Sequence, residues 1–411
     1  MRHRSRYGFV PATLLALGAA ELGGRLLRPR QGAAKSVEAD VRTHFSDAEI
    51  ERGARYARPQ VALGIARSGL ALGAMAVAVD RIPRVLPKRL RGSLLGGAAA
   101  GAGFGLVGAL APLPLSVVAR RRSIKVGLIT QSWRGWAADQ VKAQAISATI
   151  SAGAGAATVA VTRRYPQGWW LPAAAGSVVV GSVFAALAPV VLDPVFNDFT
   201  PLPEGDTRSD VLDLAYAAGV RVGEIYSIDA SRRTTAANAY VTGLGPTKRV
   251  VLFDTLLDRY NRDEIRVVVA HELAHVRNRD VRRGVAYMAI VAPAAALAVQ
   301  QLSWALSDER GTAGAVPAIG LAVTLISAPI GIIANRLSRA IERRADRFSL
   351  QLSRSPEAFI TFERAIAVQN VADVEPPRWV TALLASHPPT AERIGAAVTF
   401  AQASSQEPPG T

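Results

Sequence analysis

The stretch VVVAHELAHVRNRD, residues 267–280, sets two of the chain's five histidines four positions apart, with a glutamate directly after the first, in an otherwise apolar run. Residues four apart on an α-helix are offset by only about 40° around its axis, so both imidazoles can reach a single ion. Asn261 followed three positions later by Glu264 has the form of a reciprocal helix cap, and no Gly or Pro interrupts the run from Asp263 to Gly284. The pattern predicts one continuous helix carrying His271, Glu272 and His275. Ile265, Val267, Val268, Val269, Leu273 and Val276 make most of that helix apolar. Two histidines and a glutamate buried there without partners would be costly, and a bound metal removes the cost. A histidine pair satisfied in a core or on a wet face gives the same string, so the metal reading needs a third ligand.

A candidate stands in SRAIERRAD, residues 338–346. Glu342 and Asp346, four apart, share a helical face. Glu342 can complete a His₂Glu zinc site that leaves a position for water, and Asp346 can accept a hydrogen bond from the far ring nitrogen of one histidine. The same spacing also suits an ordinary charged helix, in which Arg339, Arg343, Arg344 and Arg347 pair with these acids along one surface.

Composition sets the surroundings. The chain has 411 residues, 50% hydrophobic side chains, 35 glycines, no cysteine and a formal charge of +16. Without cysteine, disulfides, thiolate ligands and a cysteine nucleophile are excluded, and a metal must be held by histidine and carboxylate. The arginines cluster in short blocks between apolar runs with few aromatics among them, which points to a membrane surface and not to nucleic acid. Apolar segments run over residues 8–27, 60–79, 92–119, 146–162, 170–192, 285–306 and 316–335. Each approaches the ~20 residues that a helix needs to cross ~30 Å of hydrocarbon. The expected fold class is mainly α: a polytopic membrane protein with about seven transmembrane helices and an α+β part that carries the candidate zinc site. A large soluble helical bundle is the alternative. The first segment follows MRHRSR and reads as a signal anchor or a signal peptide.

The domain plan follows. Residues 1–192 form a membrane region of about five helices, 193–284 a polar catalytic part, 285–335 a transmembrane hairpin, 336–400 a helical catalytic part, and 401–411 a disordered tail. Within the first catalytic part VLDLAYAAGV has helical spacing; EIYSIDA, NAYVTG and KRVVLF suggest strands, with GLGPT as a turn. The hairpin separates His275 from Glu342, so an even number of crossings puts all ligands on one side. Arg277, Arg279, Arg282 and Arg283 precede it and Arg336, Arg339, Arg343 and Arg344 follow it, whereas its loop carries only Arg310. This asymmetry places the site on the cytoplasmic face of the cell membrane.

Several motifs in order resemble the CAAX prenyl protease family of integral-membrane zinc endopeptidases, relatives of the bacterial heat-shock membrane protease. They are DPVFNDFTPLPEG, IYSIDASRRTTAANAYVTGLGPTKRVVLFDTLLD, HELAH, SRAIERRAD and SHPPTAERI. The resemblance implies a gluzincin-type site with one zinc per chain on His271, His275 and Glu342, and Glu272 as catalytic base. It further implies His387 as a catalytic oxyanion stabiliser, Arg393 as a nearby supporting charge, and Asn238 as a holder of the substrate backbone. Expected partners are protein or peptide substrates and the bilayer. Oligomeric state and cleavage rule are not legible. A zinc-protease-based signal transducer and an inactive scaffold or transporter are the readings from other classes. The first would carry a further sensing domain, and the second would tolerate loss of Glu272.

Overall fold

A computed structural model describes residues 8–30, 38–243 and 248–406. The leading arginines Arg2, Arg4 and Arg6, the turn residues 244–247 and the tail residues 407–411 lie outside them. The described residues are mainly helical, with one small sheet.

The chain opens with α1 (Phe9–Leu26) and α2 (Asp47–Val85), the latter started by a Ser46–Glu49 capping box. Next come α3 (Leu94–Leu110) and α4 (Leu113–Lys125), then α5 (Trp133–Arg164) and α6 (Trp170–Val191). The apolar run 92–119 is thus two helices. They meet at 42° at the Ala111–Pro112 step, where the prolines cannot extend a straight helical ladder. α3 and α5 touch backbone to backbone: a Cβ on Gly101 would stand 2.2 Å from the Ser151 carbonyl, and one on Gly155 2.1 Å from the Gly97 carbonyl. Small residues permit this approach where no hydrophobic effect drives helices together. α6 buries none of its most apolar window, and Val179, Val180, Phe184 and Leu187 stand exposed. A water-soluble bundle would bury that face, so its exposure fits lipid contact. Six helices are long and apolar enough to cross a membrane, or seven with the bent pair as one span.

A short helix α7 (Asp193–Phe196) leads to β1 (Phe199–Pro201) and α8 (Asp206–Ala217). β2 (Glu224–Ile228), β3 (Ala239–Thr242) and β4 (Arg249–Phe253) fall within the three runs that suggested strands. β1 was not expected: three residues ending in proline are too short to show alternation. The sheet order is β1-β2-β4-β3, with β2 and β4 parallel and the outer pairs antiparallel, so β3 is an edge strand. Its buried face packs Ile225, Val250 and Leu252 against Val211, Leu214, Val269 and Leu273. α9 (Asp254–Arg259) then leads into α10 (Arg262–Arg277), whose Asn261–Glu264 cap forms in both directions.

The helix does not run on to Gly284. It stops at Arg277; the Asn278 amide and side chain both donate to the Ala274 carbonyl, and Arg279 turns the chain at φ 55. A new helix, α11 (Asp280–Leu306), starts with an aspartate at its positive end. Neither Gly nor Pro marks this break, which is why helical periodicity passes over it. α12 (Val316–Ser353) is one 38-residue helix, roughly 57 Å long at 1.5 Å per residue. It therefore carries the last span and Glu342 without interruption, and the boundaries drawn at 284/285 and 335/336 fall inside helices. α13 (Pro356–Gln369), α14 (Arg378–Leu383) and α15 (Thr390–Gln406) complete the chain. Residues 401–406, expected in a disordered tail, continue α15: Ala401, Gln402 and Ala403 favour helix, and the Ser404 hydroxyl donates to the Phe400 carbonyl.

The part expected to be catalytic is also clasped by helices of residues 1–192. Arg58 of α2 pairs with Asp373 at 2.8 Å, Arg364 of α13 with Glu49 at 2.9 Å, and Asp139 of α5 with Arg233 at 2.9 Å.

Candidate active site

α10 presents His271 and His275 on one face, and Glu342 meets them from α12. His271 Nε2 lies 3.3 Å from His275 Nε2 and 3.2 Å from Glu342 Oε2, and His275 Nε2 is 3.7 Å from Glu342 Oε1. The far ring nitrogens show which atoms face inward: His275 Nδ1 is 3.1 Å from Asp280 Oδ2 with hydrogen-bond geometry, and His271 Nδ1 is 2.9 Å from Asp346 Oδ1 as a close charge contact without it. An ionised carboxylate only accepts, so each Nδ1 carries the proton and each Nε2 turns a lone pair to the centre. These tautomers are assigned from the partners. The close Nε2 pair is then no hydrogen bond but two acceptors sharing one target.

Glu342 Oε2 is buried and makes no directed hydrogen bond, although His271 Nε2 and His387 Nε2 approach within 3.2 and 3.4 Å. An orphaned buried acceptor is costly, and three acceptors converging on one point are costlier. A cation removes both penalties. Two imidazoles and a carboxylate, with ligand atoms within 4.8 Å of one another, form a set that divalent transition metals take. Without a metal the same demand falls on protons: burial pulls His271 down, but Asp346 and Glu342 hold it up to about 10.

Glu272, one residue after His271, lines a cleft of about 550 Å³ together with Asn238, Phe253, Val268, Phe362 and His387. Burial pushes its carboxyl above the ordinary range, against the pull of the two histidines. Such a carboxylate takes a proton more readily at neutral pH. His387 is exposed, and its Nδ1 lies 2.9 Å from the Ser386 hydroxyl. Asn238 precedes edge strand β3; its side chain accepts from the Ala239 amide, and its carbonyl accepts from the Phe253 amide.

Arg393 lines the same cleft, with its guanidinium engaged by carboxylates. Its Nε and Nη2 donate to Asp346 at 3.0 and 2.6 Å, and its Nη1 meets Glu363 at 2.6 Å. With its nitrogens committed, it supports the site from behind His271 instead of offering a free donor to an oxyanion. Burial would push Asp346 up, but Arg393 and His271 more than reverse this and hold it below the usual carboxylate range. Burial drives Glu363 up to about 7. The α12 arginines also differ from the one-helix pattern: Arg339 donates to the Ala382 and Ala385 carbonyls, Arg343 pairs with Glu392, and Arg344 reaches Asp280 at 2.5 Å.

Asp280, Arg344 and Glu363 escaped sequence reasoning as site residues. For Asp280 a signal existed in principle, since an acid in RNRD after the histidines can open a second helix. Glu363 lies in an ordinary amphipathic helix with nothing to single it out.

Membrane-length helices carrying a His-Glu-x-x-His helix opposed by a glutamate define the class: an integral-membrane metallopeptidase. The family model for peptidase family M48 matches residues 201–401, and that for the CAAX prenyl protease N-terminal region, five membrane helices, matches 30–198. The chain belongs to peptidase family M48. It is 31% identical over 298 residues to the uncharacterized metalloprotease YhfN of Bacillus subtilis (strain 168), covering 70% of each chain. A CAAX prenyl protease 1 homolog of Oryza sativa subsp. japonica is 32% identical over 222 residues, 52% of each chain. The crystal structure of S. mikatae Ste24p matches with a TM-score of 0.76 over 95% of this chain and 99% of that one; at 18% identity this likeness concerns the fold.

Proposed function

We propose that this chain is a zinc-dependent endopeptidase cleaving extended segments of membrane-associated or unfolded proteins, with its site on the cytoplasmic face of the cell membrane. The carrying observation is the convergence of His271 Nε2, His275 Nε2 and the orphaned Glu342 carboxylate on one point. These groups would hold the ion. When bound, zinc supplies Lewis acidity, lowering the pKa of water toward ~7 and polarising a carbonyl.

Glu272 takes the proton of the attacking water, which its raised affinity for protons favours, and returns it to the departing amine. His387 donates from its imidazole to the developing oxyanion. Asn238 and β3 receive the substrate backbone by strand addition, a mode that reads side chains weakly and suits unfolded substrates. Residues 193–284 and 336–400 together form the catalytic part, and residues 1–192 with the hairpin 285–335 form the membrane part.

Elemental analysis of purified protein tests the metal: one zinc per chain is expected in the wild type and none in His271→Ala, His275→Ala or Glu342→Ala. A wild type that neither carries nor takes up zinc would sink the assignment. Reporter fusions test the sidedness. A fusion after Thr312 is expected outside and one after Gln406 inside, and equal sidedness would refute the crossing hairpin.

A further inference from the structure

The two histidines need two separate supports, and only the one behind His271 could be anticipated. We propose that Asp280 is a positioning residue of the metal site: it fixes the ring and tautomer of His275 and is itself held by Arg344 and Arg283. This rests on the zinc-site reading above.

Four observations carry it. His275 Nδ1 lies 3.1 Å from Asp280 Oδ2, so a proton on Nδ1 has a charged acceptor and Nε2 is left free to bind metal. His275 occupies the last turn of α10 and its side chain is 25% exposed, so unlike His271 it lacks close packing to hold it. Both Asp280 oxygens are held by Arg344 Nη2, at 2.5 and 2.6 Å, and Oδ1 also receives Arg283 Nη1. The Asp280 and Arg344 side chains are only 11% and 8% exposed, which makes the contact more rigid than a surface ion pair.

The turn at Arg279 creates this arrangement. On an uninterrupted helix Asp280 would lie five positions, about 500° of rotation, from His275, well off its face. With Arg279 at φ 55, the first residue of α11 swings back over the histidine. Arg344 follows Glu342 by two positions on α12, so the helix that supplies the third ligand also clamps the support of the second. His275 is thereby tied to the first turn of one membrane helix and the extension of another.

The test separates hydrogen-bond positioning from mere charge pairing. Asn at position 280 keeps a carbonyl that can accept from Nδ1 but loses the charge that pairs with Arg344; Ala loses both. Zinc affinity, measured by chelator competition on the detergent-solubilised full chain, is expected to fall about 10- to 100-fold in Asp280→Ala and less in Asp280→Asn. The melting temperature of the metal-free protein is expected to drop equally in both, because each strands Arg344. Asp280→Ala combined with Arg344→Met should recover the melting temperature and keep the low affinity. Wild-type affinity in Asp280→Ala, equal loss in Ala and Asn, or affinity recovered along with melting in the double variant would each overturn the inference. A wild type that takes up no zinc overturns the metal reading as well, so the two failures are distinguishable.

Discussion

His271 and His275 lie one turn apart on a single helix, yet different parts of the molecule hold them. Behind His271 stands a buried chain, Asp346–Arg393–Glu363, drawn from α12, α15 and α13. Behind His275 stand Asp280 and Arg344, at the start of one membrane helix and on the extension of another. Both supports draw on α12, through Asp346 and Arg344; the first, the core support, adds α13 and α15, whereas the second, the hairpin support, joins the ends of the two helices that carry the hairpin. The difference teaches that this metal site is not a soluble module tethered to a membrane anchor. One of its two supports is built from the flanking ends of the helices that form the membrane hairpin.

The largest effect expected leaves both supports intact. Glu272→Gln preserves shape, both imidazoles and Glu342, so the variant should keep its zinc. Its turnover of an unstructured peptide should fall about 10²- to 10⁴-fold, the range a positioned base contributes. His387→Ala should also keep its zinc and retain more activity, since one oxyanion donor is worth roughly 2.7–4 kcal/mol and the other polarising groups remain. Peptide cleavage with zinc content checked in parallel decides the order. Equal rates for wild type and Glu272→Gln would assign the activity to a contaminant or to another base.

The contrast between the two supports also explains what was legible. His271 with His275, and Glu342 with Asp346, stand out through four-residue spacing, because local helical geometry brings each pair onto one face; Glu272 stands out by its place between the histidines. The spans were legible because a helix facing lipid must be apolar over its whole length, as α6 is. Asp280 needed knowledge of a helix break that no Gly or Pro marks. Arg344 looked like a partner for acids on its own helix, and only the packing of α11 against α12 shows its true partner. Glu363 became a site residue through Arg393, thirty positions on, a contact that periodicity does not encode. The bend between α3 and α4 and the edge strand β1 were hidden for a simpler reason: short or apolar segments look alike whether straight or broken.

A smaller effect should distinguish the supports themselves. Asp346→Asn keeps an acceptor for His271 Nδ1 but removes the charge that balances the buried Arg393. Zinc affinity is expected to fall within the ~10- to 100-fold range of such partners. The metal-free protein should also melt lower, by more than in Asp280→Asn, because the Asp346 side chain is more deeply buried than that of Asp280, 3% against 11% exposed, and faces both Arg393 and His271. Calorimetry of both variants, stripped of metal, makes the comparison. Equal destabilisation would mean that the hairpin support is as deeply embedded as the core one.

The smallest expected effect is a change of slope, and it probes the far end of the core support. Glu363 lines the cleft and pairs with Arg393, and burial drives its carboxyl up to about 7 from the ordinary 4.5. Between those values the folded chain keeps a proton that the unfolded chain has released, so the contribution of this group to stability falls as pH rises through that window. Below it both states are protonated, and above it both are charged and the cost of burying the charge is complete. Glu363→Gln cannot titrate. Its melting temperature should therefore gain on the wild type between about pH 5 and pH 8, whatever the offset between the two proteins at acid pH. Parallel melting curves for metal-free wild type and variant across that range would show that Glu363 is already ionised beside Arg393. The core support would then be a salt-bridged triad of fixed charge, closer in kind to the Asp280–Arg344 pair than the burial of Glu363 implies.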